Sequence, residues 1–95
     1  MKLLDAVTED TTGSGVALGD FGRRPYREYM FFTNSSNYGS GTVTLQVSFD
    51  EGTTWVPTAV AHTANLATPT SIRATHVRAV LTGSTTPAAL TAVLL

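Results

Sequence analysis

The chain has 95 residues, a formal net charge of −1, only 14% charged residues and no cysteine. That length suits one domain, and the missing cysteines exclude a disulfide staple, a thiolate nucleophile and a thiolate metal ligand. Lys2 is the sole lysine, so there is no basic stripe of the kind phosphate contacts require, and no apolar run approaches the ~20 residues of a membrane helix.

The first run, Met1 to Val7, is too short for a secretory leader and is interrupted by Asp5. Leu3 to Thr8 reads as a short strand, Thr11 to Ser14 as a loop, and Gly15 to Leu18 as a second short strand. Tyr26 to Thr33 carries Tyr26, Tyr29, Phe31 and Phe32 and reads as an aromatic strand whose inward register stays open by one step. Asn34 to Gly41 is a turn-rich loop. The clearest alternation follows. Val43, Leu45, Val47 and Phe49 alternate with Thr42, Thr44, Gln46 and Ser48, the period of two of a half-buried strand, with Phe49 expected on the core face. Asp50-Glu51-Gly52 has turn chemistry, so a second strand at about Thr53 to Thr58 completes a hairpin, with Pro57 placing it at an edge. Ala59 to Asn65 reads as a loop or one helical turn; Ala67 to Arg73, Thr75 to Leu81 and Ala88 to Leu95 read as the closing strands. About seven to eight strands spaced by turns predict an all-β, single-domain antiparallel β-sandwich over residues 1–95, jelly-roll-like or Ig-like. Threonine, with 17 copies, suits the solvated face of such strands.

The sharpest motif is Ser48-Phe49-Asp50-Glu51-Gly52-Thr53-Thr54-Trp55. It fits S-x-D-x-G-x-T-W at every fixed position and resembles the Asp-box hairpin of sialidases and other β-propeller proteins. The residue types explain themselves. Asp50 can accept backbone N–H bonds within its own turn, Gly52 can take positive φ, and Trp55 can lay a large apolar ring on the hairpin. A propeller needs several copies and a longer chain, so one copy implies a stable hairpin built on Ser48, Asp50, Gly52, Thr54 and Trp55, with no catalytic role.

Other constellations are weaker. Asp50 and Glu51 could contribute to a calcium site with Asp20, short of the six to eight oxygens calcium takes. His62, read in a loop, and His76, read at a strand start, are too sparse for zinc without cysteine and lack the G-x-S-x-G elbow of a hydrolase. Gly13-Ser14-Gly15 lacks the lysine of a phosphate loop and reads as a turn. No metal, cofactor or catalytic residue is therefore expected. Trp55, Tyr26, Tyr29 and Tyr38 with Asn34 and Asn37 could form a glycan-stacking platform, and Arg23-Arg24-Pro25-Tyr26-Arg27 combines residues enriched at interfaces.

Over most of its length the chain resembles the small structural proteins of tailed bacteriophages. The resemblance is carried by Thr12-Gly13-Ser14-Gly15-Val16-Ala17-Leu18, by Gly41 to Ser48 running into the hairpin, by Val77-Arg78-Ala79-Val80-Leu81-Thr82-Gly83, and by the final Ala/Thr/Val strand. It implies a virion protein made in the host cytoplasm. The protein would be a capsid decoration or cement protein that binds the major capsid protein or other virion proteins and stabilises the assembled shell. It would act as a symmetric homo-oligomer such as a trimer, with no nucleic-acid or membrane partner. The alternative is a tail, collar or fibre component, or a carbohydrate-binding module for host recognition. Arg23, Arg24, Tyr26, Tyr38, Leu94 and Leu95 are the expected contact residues.

Overall fold

The computed structural model describes residues 1–18 and 27–95. Among them run nine strands and no helix: β1 (Lys2–Val7), β2 (Thr11–Thr12), β3 (Val16–Ala17), β4 (Arg27–Asn34), β5 (Thr42–Ser48), β6 (Val56–His62), β7 (Leu66–Ile72), β8 (His76–Thr82) and β9 (Leu90–Leu94). They form two antiparallel sheets, a four-stranded β1-β9-β4-β7 and a five-stranded β2-β8-β5-β6 in which β3 also pairs with β8. The fold is an all-β sandwich.

The winding distinguishes the two sandwich types left open by the sequence. β2 and β3 share one partner, β8, and count as a single interrupted strand. The pairs β1–β9, β2/β3–β8, β4–β7 and β5–β6 are then those of one long antiparallel ribbon whose tip is the β5–β6 hairpin. The β4–β9 and β5–β8 ladders close the rolled ribbon into two sheets. This is jelly-roll winding; an Ig-like sandwich pairs more strands that are neighbours in sequence.

The core follows strand alternation. Tyr29 and Phe31 on β4, Val43, Leu45 and Val47 on β5, Val77, Ala79 and Leu81 on β8, and Leu90, Ala92 and Leu94 on β9 are all buried between the sheets. Each fully buried side chain of this class stabilises the fold by about 1.5–3 kcal/mol. In β1, two register shifts break the period. These bulges turn the successive residues Leu3 and Leu4 both inward.

Four expectations are corrected. Phe49 is 64% exposed while Ser48 is fully buried, so the alternation of β5 ends one step early. The second hairpin strand begins at Val56 rather than Thr53, and it runs through the segment read as loop or helical turn. His62 therefore ends a strand and is buried. Leu94 faces the core, because β4 pairs it with Phe31.

Candidate functional site

The Ser48–Trp55 turn is organised around one buried hydroxyl. Ser48 Oγ accepts from the Gly52 N–H (2.8 Å) and the Asp50 N–H (3.4 Å), and donates to Asp50 Oδ1 (2.8 Å). Asp50 Oδ1 also accepts from the Thr54 N–H at 2.8 Å. That backbone bond, followed by the Ser48 hydroxyl, holds the Asp50 carboxyl below its ordinary value. Glu51 and Gly52 both take positive φ, 61° and 86°, which the tight turn demands. The outside of the turn is tied to Thr75, just before β8. The Thr75 N–H and hydroxyl both donate to the Ser48 carbonyl (2.9 and 3.0 Å), and the Thr75 hydroxyl accepts from the Glu51 N–H (3.0 Å). Pulling Ser48 inward to serve this network is what turns Phe49 out.

Trp55 is half-buried. The Arg78 guanidinium lies 4.4 Å from the ring centroid, oriented by an Nε–H bond to Gln46 Oε1 at 2.7 Å. Gly15 closes the other contact: a Cβ there would meet Trp55 Cζ2 at 2.7 Å and Cη2 at 2.9 Å. Trp55 is thus clamped by protein. Tyr29 and Tyr38 are both buried, so these aromatics do not make a shared stacking platform, and Tyr38 is corrected from a contact residue to a core residue. Its hydroxyl donates to Thr33 Oγ1 at 2.9 Å, and burial pushes the phenol pKa up. Arg23, Arg24, Tyr26 and Asp20 lie outside the described residues. Among the described residues, no group of three or more His, Asp or Glu side chains comes together to hold a metal.

His62 is 1% exposed. Its Nδ1 pairs with Thr33 Oγ1 (2.9 Å) and its Nε2 with Thr68 Oγ1 (2.8 Å). Both ring nitrogens are thus committed to hydroxyls, an arrangement without the orienting carboxylate of a triad. Outside this cluster, Ser35 to Ser40 and Thr63 to Asn65 line an open, uncharged cleft of about 390 Å³.

The outer faces of the two sheets differ, and sequence reasoning missed this. On the outside of β1-β9-β4-β7 the register aligns two apolar rows, Val93–Phe32–Ala67 and Leu95–Met30–Pro69. Met30 and Phe32 are each 38% exposed and Leu95 is 73% exposed. Lys2, Glu28 and Asn34 lie around the patch. On the outside of the other sheet Thr42 faces Thr82 and Gln46 faces Arg78, Thr44 faces Val80, the apolar member of this set, and His76 stands opposite Ser48.

The sheet edges, by contrast, are closed to strand addition. The Met30 N–H and C=O both bond Leu95, just past β9, so the Met30–Pro69 pair exchanges no ladder bonds and the N–H that Pro69 lacks belongs to the free edge of β7. On β6, Pro57 and a bulge do the same; the bulge is held by the Thr58 hydroxyl, which donates to the Leu45 carbonyl (2.8 Å) and accepts from the Val60 N–H (3.1 Å). β1 is irregular in register and carries Lys2 and Asp5, and β2 and β3 are two residues each.

Compared with known proteins, the chain matches no family model, no curated protein and no solved structure.

Proposed function

We propose that this chain is a structural protein of the tailed-phage virion, a capsid decoration or cement module that works by binding. Its partner is the major capsid protein or another virion protein, met through the outer face of the β1-β9-β4-β7 sheet. The observation that carries this reading is the double apolar row of Met30, Phe32, Val93 and Leu95 on a domain whose sheet edges are blunted. A contiguous apolar patch rimmed by polar residues marks a protein contact, and blunted edges direct that contact to the face. Phage structural identity rests on the sequence resemblance. Repetition over a symmetric shell would turn a shallow contact into strong net binding, and binding to the assembled state alone stabilises it by mass action.

The test is the copy number of the chain in purified particles, by gradient fractionation and quantitative mass spectrometry, beside a Met30→Ser/Phe32→Ser variant. Hundreds of copies, lost in the variant, support decoration through this face. A handful supports the tail, collar or fibre reading. That second reading, with host-glycan binding, draws on the hydroxyl- and amide-lined cleft at Ser35–Ser40 and Thr63–Asn65. Absence from particles sinks both virion readings.

A further inference from the structure

His62 joins elements that are far apart in the chain. It lies on β6 of one sheet and reaches Thr33 on β4 and Thr68 on β7, both in the other. The Phe31 ring packs at 4.9 Å between centroids. Tyr38 extends the chain of hydroxyls through Thr33, whose own hydroxyl also lies 3.4 Å from the Ala64 carbonyl. Tyr38 and Ala64 line the open cleft, so the cluster sits directly beneath it.

A proton on His62 would not lack hydrogen bonds. Both N–H groups of the imidazolium could donate to Thr33 and Thr68, with the Thr33 hydroxyl turned to Ala64. What it lacks, among the described residues, is a counter-charge. Its neighbours are an aromatic ring from β4, hydroxyls from β4 and β7, a carbonyl from the β6–β7 turn and Val43, its partner on β5. The titratable group in the cluster is Tyr38, a neutral phenol throughout the acid range. Burying an unpaired cation is costly, and burial accordingly lowers the His62 pKa from the ordinary 6.5.

We infer that His62 is an acid-sensitive clasp between the two sheets, whose protonation releases the β6–β7 turn and opens the cleft above it. The sign follows from linkage. The folded form holds His62 neutral, so the clasp contributes fully above the unfolded value of 6.5 and is lost as pH falls below it. This reading does not depend on the partner or on the phage assignment.

The test is NMR on the intact chain from pH 8 to 4, following the His62 ring and amide hydrogen exchange. The His62 ring is expected to remain neutral at pH values where a free imidazole, with its ordinary value of 6.5, has titrated. Protection of amides in 35–40 and 62–68, corrected for intrinsic exchange, should fall below pH 6.5 by up to about tenfold per pH unit, the limit for one proton. Amides in the β5–β8 ladder should fall less. His62→Gln should abolish the local slope. His62 titrating as a free imidazole does, without loss of protection, would overturn the clasp, as would an equal slope in the glutamine variant. Should that variant not fold, the wild-type pattern decides: loss spread evenly over both sheets would refute a local release.

Discussion

The two outer faces of this sandwich are built from the same strand physics and reach opposite solutions. β5 and β8 present threonine, glutamine, histidine and arginine outward over a fully apolar inner face, the usual division for a sheet with one side in water. β4 and β9 keep an inner face that is apolar apart from Thr33 and add methionine, phenylalanine, valine and leucine outside. The first sheet needs nothing further to be stable in water. The second leaves apolar area uncovered, and its edges are protected by Pro69 on β7 and by irregular register and charge on β1. The contrast separates stability from the proposed association: inner positions of both sheets hold the fold, and the proposal assigns partner contact to outer positions of one sheet.

Adjacent residues on β4 provide the sharpest break of that comparison. Phe31 is fully buried and Phe32 is 38% exposed. Phe31→Ala should cost about 3–5 kcal/mol in denaturant unfolding, through lost transfer energy and a cavity beside His62. Phe32→Ala should cost about 1 kcal/mol or less while abolishing particle association. Equal stability losses at the two positions would show that the outer face is packed in the isolated domain, and the distinction between the faces would fail.

Much of the inner architecture was readable in advance, and the reason is local. Val43, Leu45 and Val47 alternate cleanly because β5 has one side in the core and one toward water. What could not be read depends on contacts made across the chain. Leu94 and Leu95 look alike in sequence; β4 assigns one inward and the other outward. His62 reads as a loop residue in the sequence because Pro57 and the Ala/Thr run weaken the strand signal there. That strand is held by its ladder to β5 and by the Thr58 hydroxyl across a bulge. The motif residues were legible as a turn, since Asp50 and Gly52 have chemistry that turns require. The inward pull on Ser48, which displaces Phe49, was not, because alternation carries no information about a side chain's hydrogen bonds. The apolar outer rows were invisible for a further reason: they exist only once β9 and β7 flank β4.

Ser48 is the next test in size. Its hydroxyl is fully buried and serves two backbone N–H groups and a carboxylate. Ser48→Ala leaves those donors to find water in a tight turn and should cost about 2 kcal/mol, read by denaturant unfolding. If the hairpin is structural, particle binding should survive at temperatures where the variant remains folded. The same turn sets an acid limb. Asp50 is held below 3.8 by the Thr54 N–H and the Ser48 hydroxyl, and Asp10 likewise by the Ser84 hydroxyl and N–H. Carboxylates with depressed pKa contribute stability above 3.8 and lose it as pH falls through the lower folded values. A thermal-unfolding series should therefore steepen below pH 4, and Asp50→Asn should flatten that limb while leaving the His62-linked loss below 6.5 unchanged.

The smallest effect belongs to the polar face. Arg78 covers Trp55 at 4.4 Å and is itself held by Gln46. Arg78→Lys keeps the charge and removes the planar fork that both stacks and donates to Gln46. An exposed cation–π contact contributes about 0.5–1 kcal/mol, so stability should fall by no more than that, while Trp55 emission shifts to the red as water reaches the uncovered ring face. Under the proposed assignment of the faces, particle association should not change, because this residue lies on the opposite sheet. A loss of association in Arg78→Lys comparable with that in Phe32→Ala would move the docking surface to the β2-β8-β5-β6 face and reverse the assignment of the two sheets.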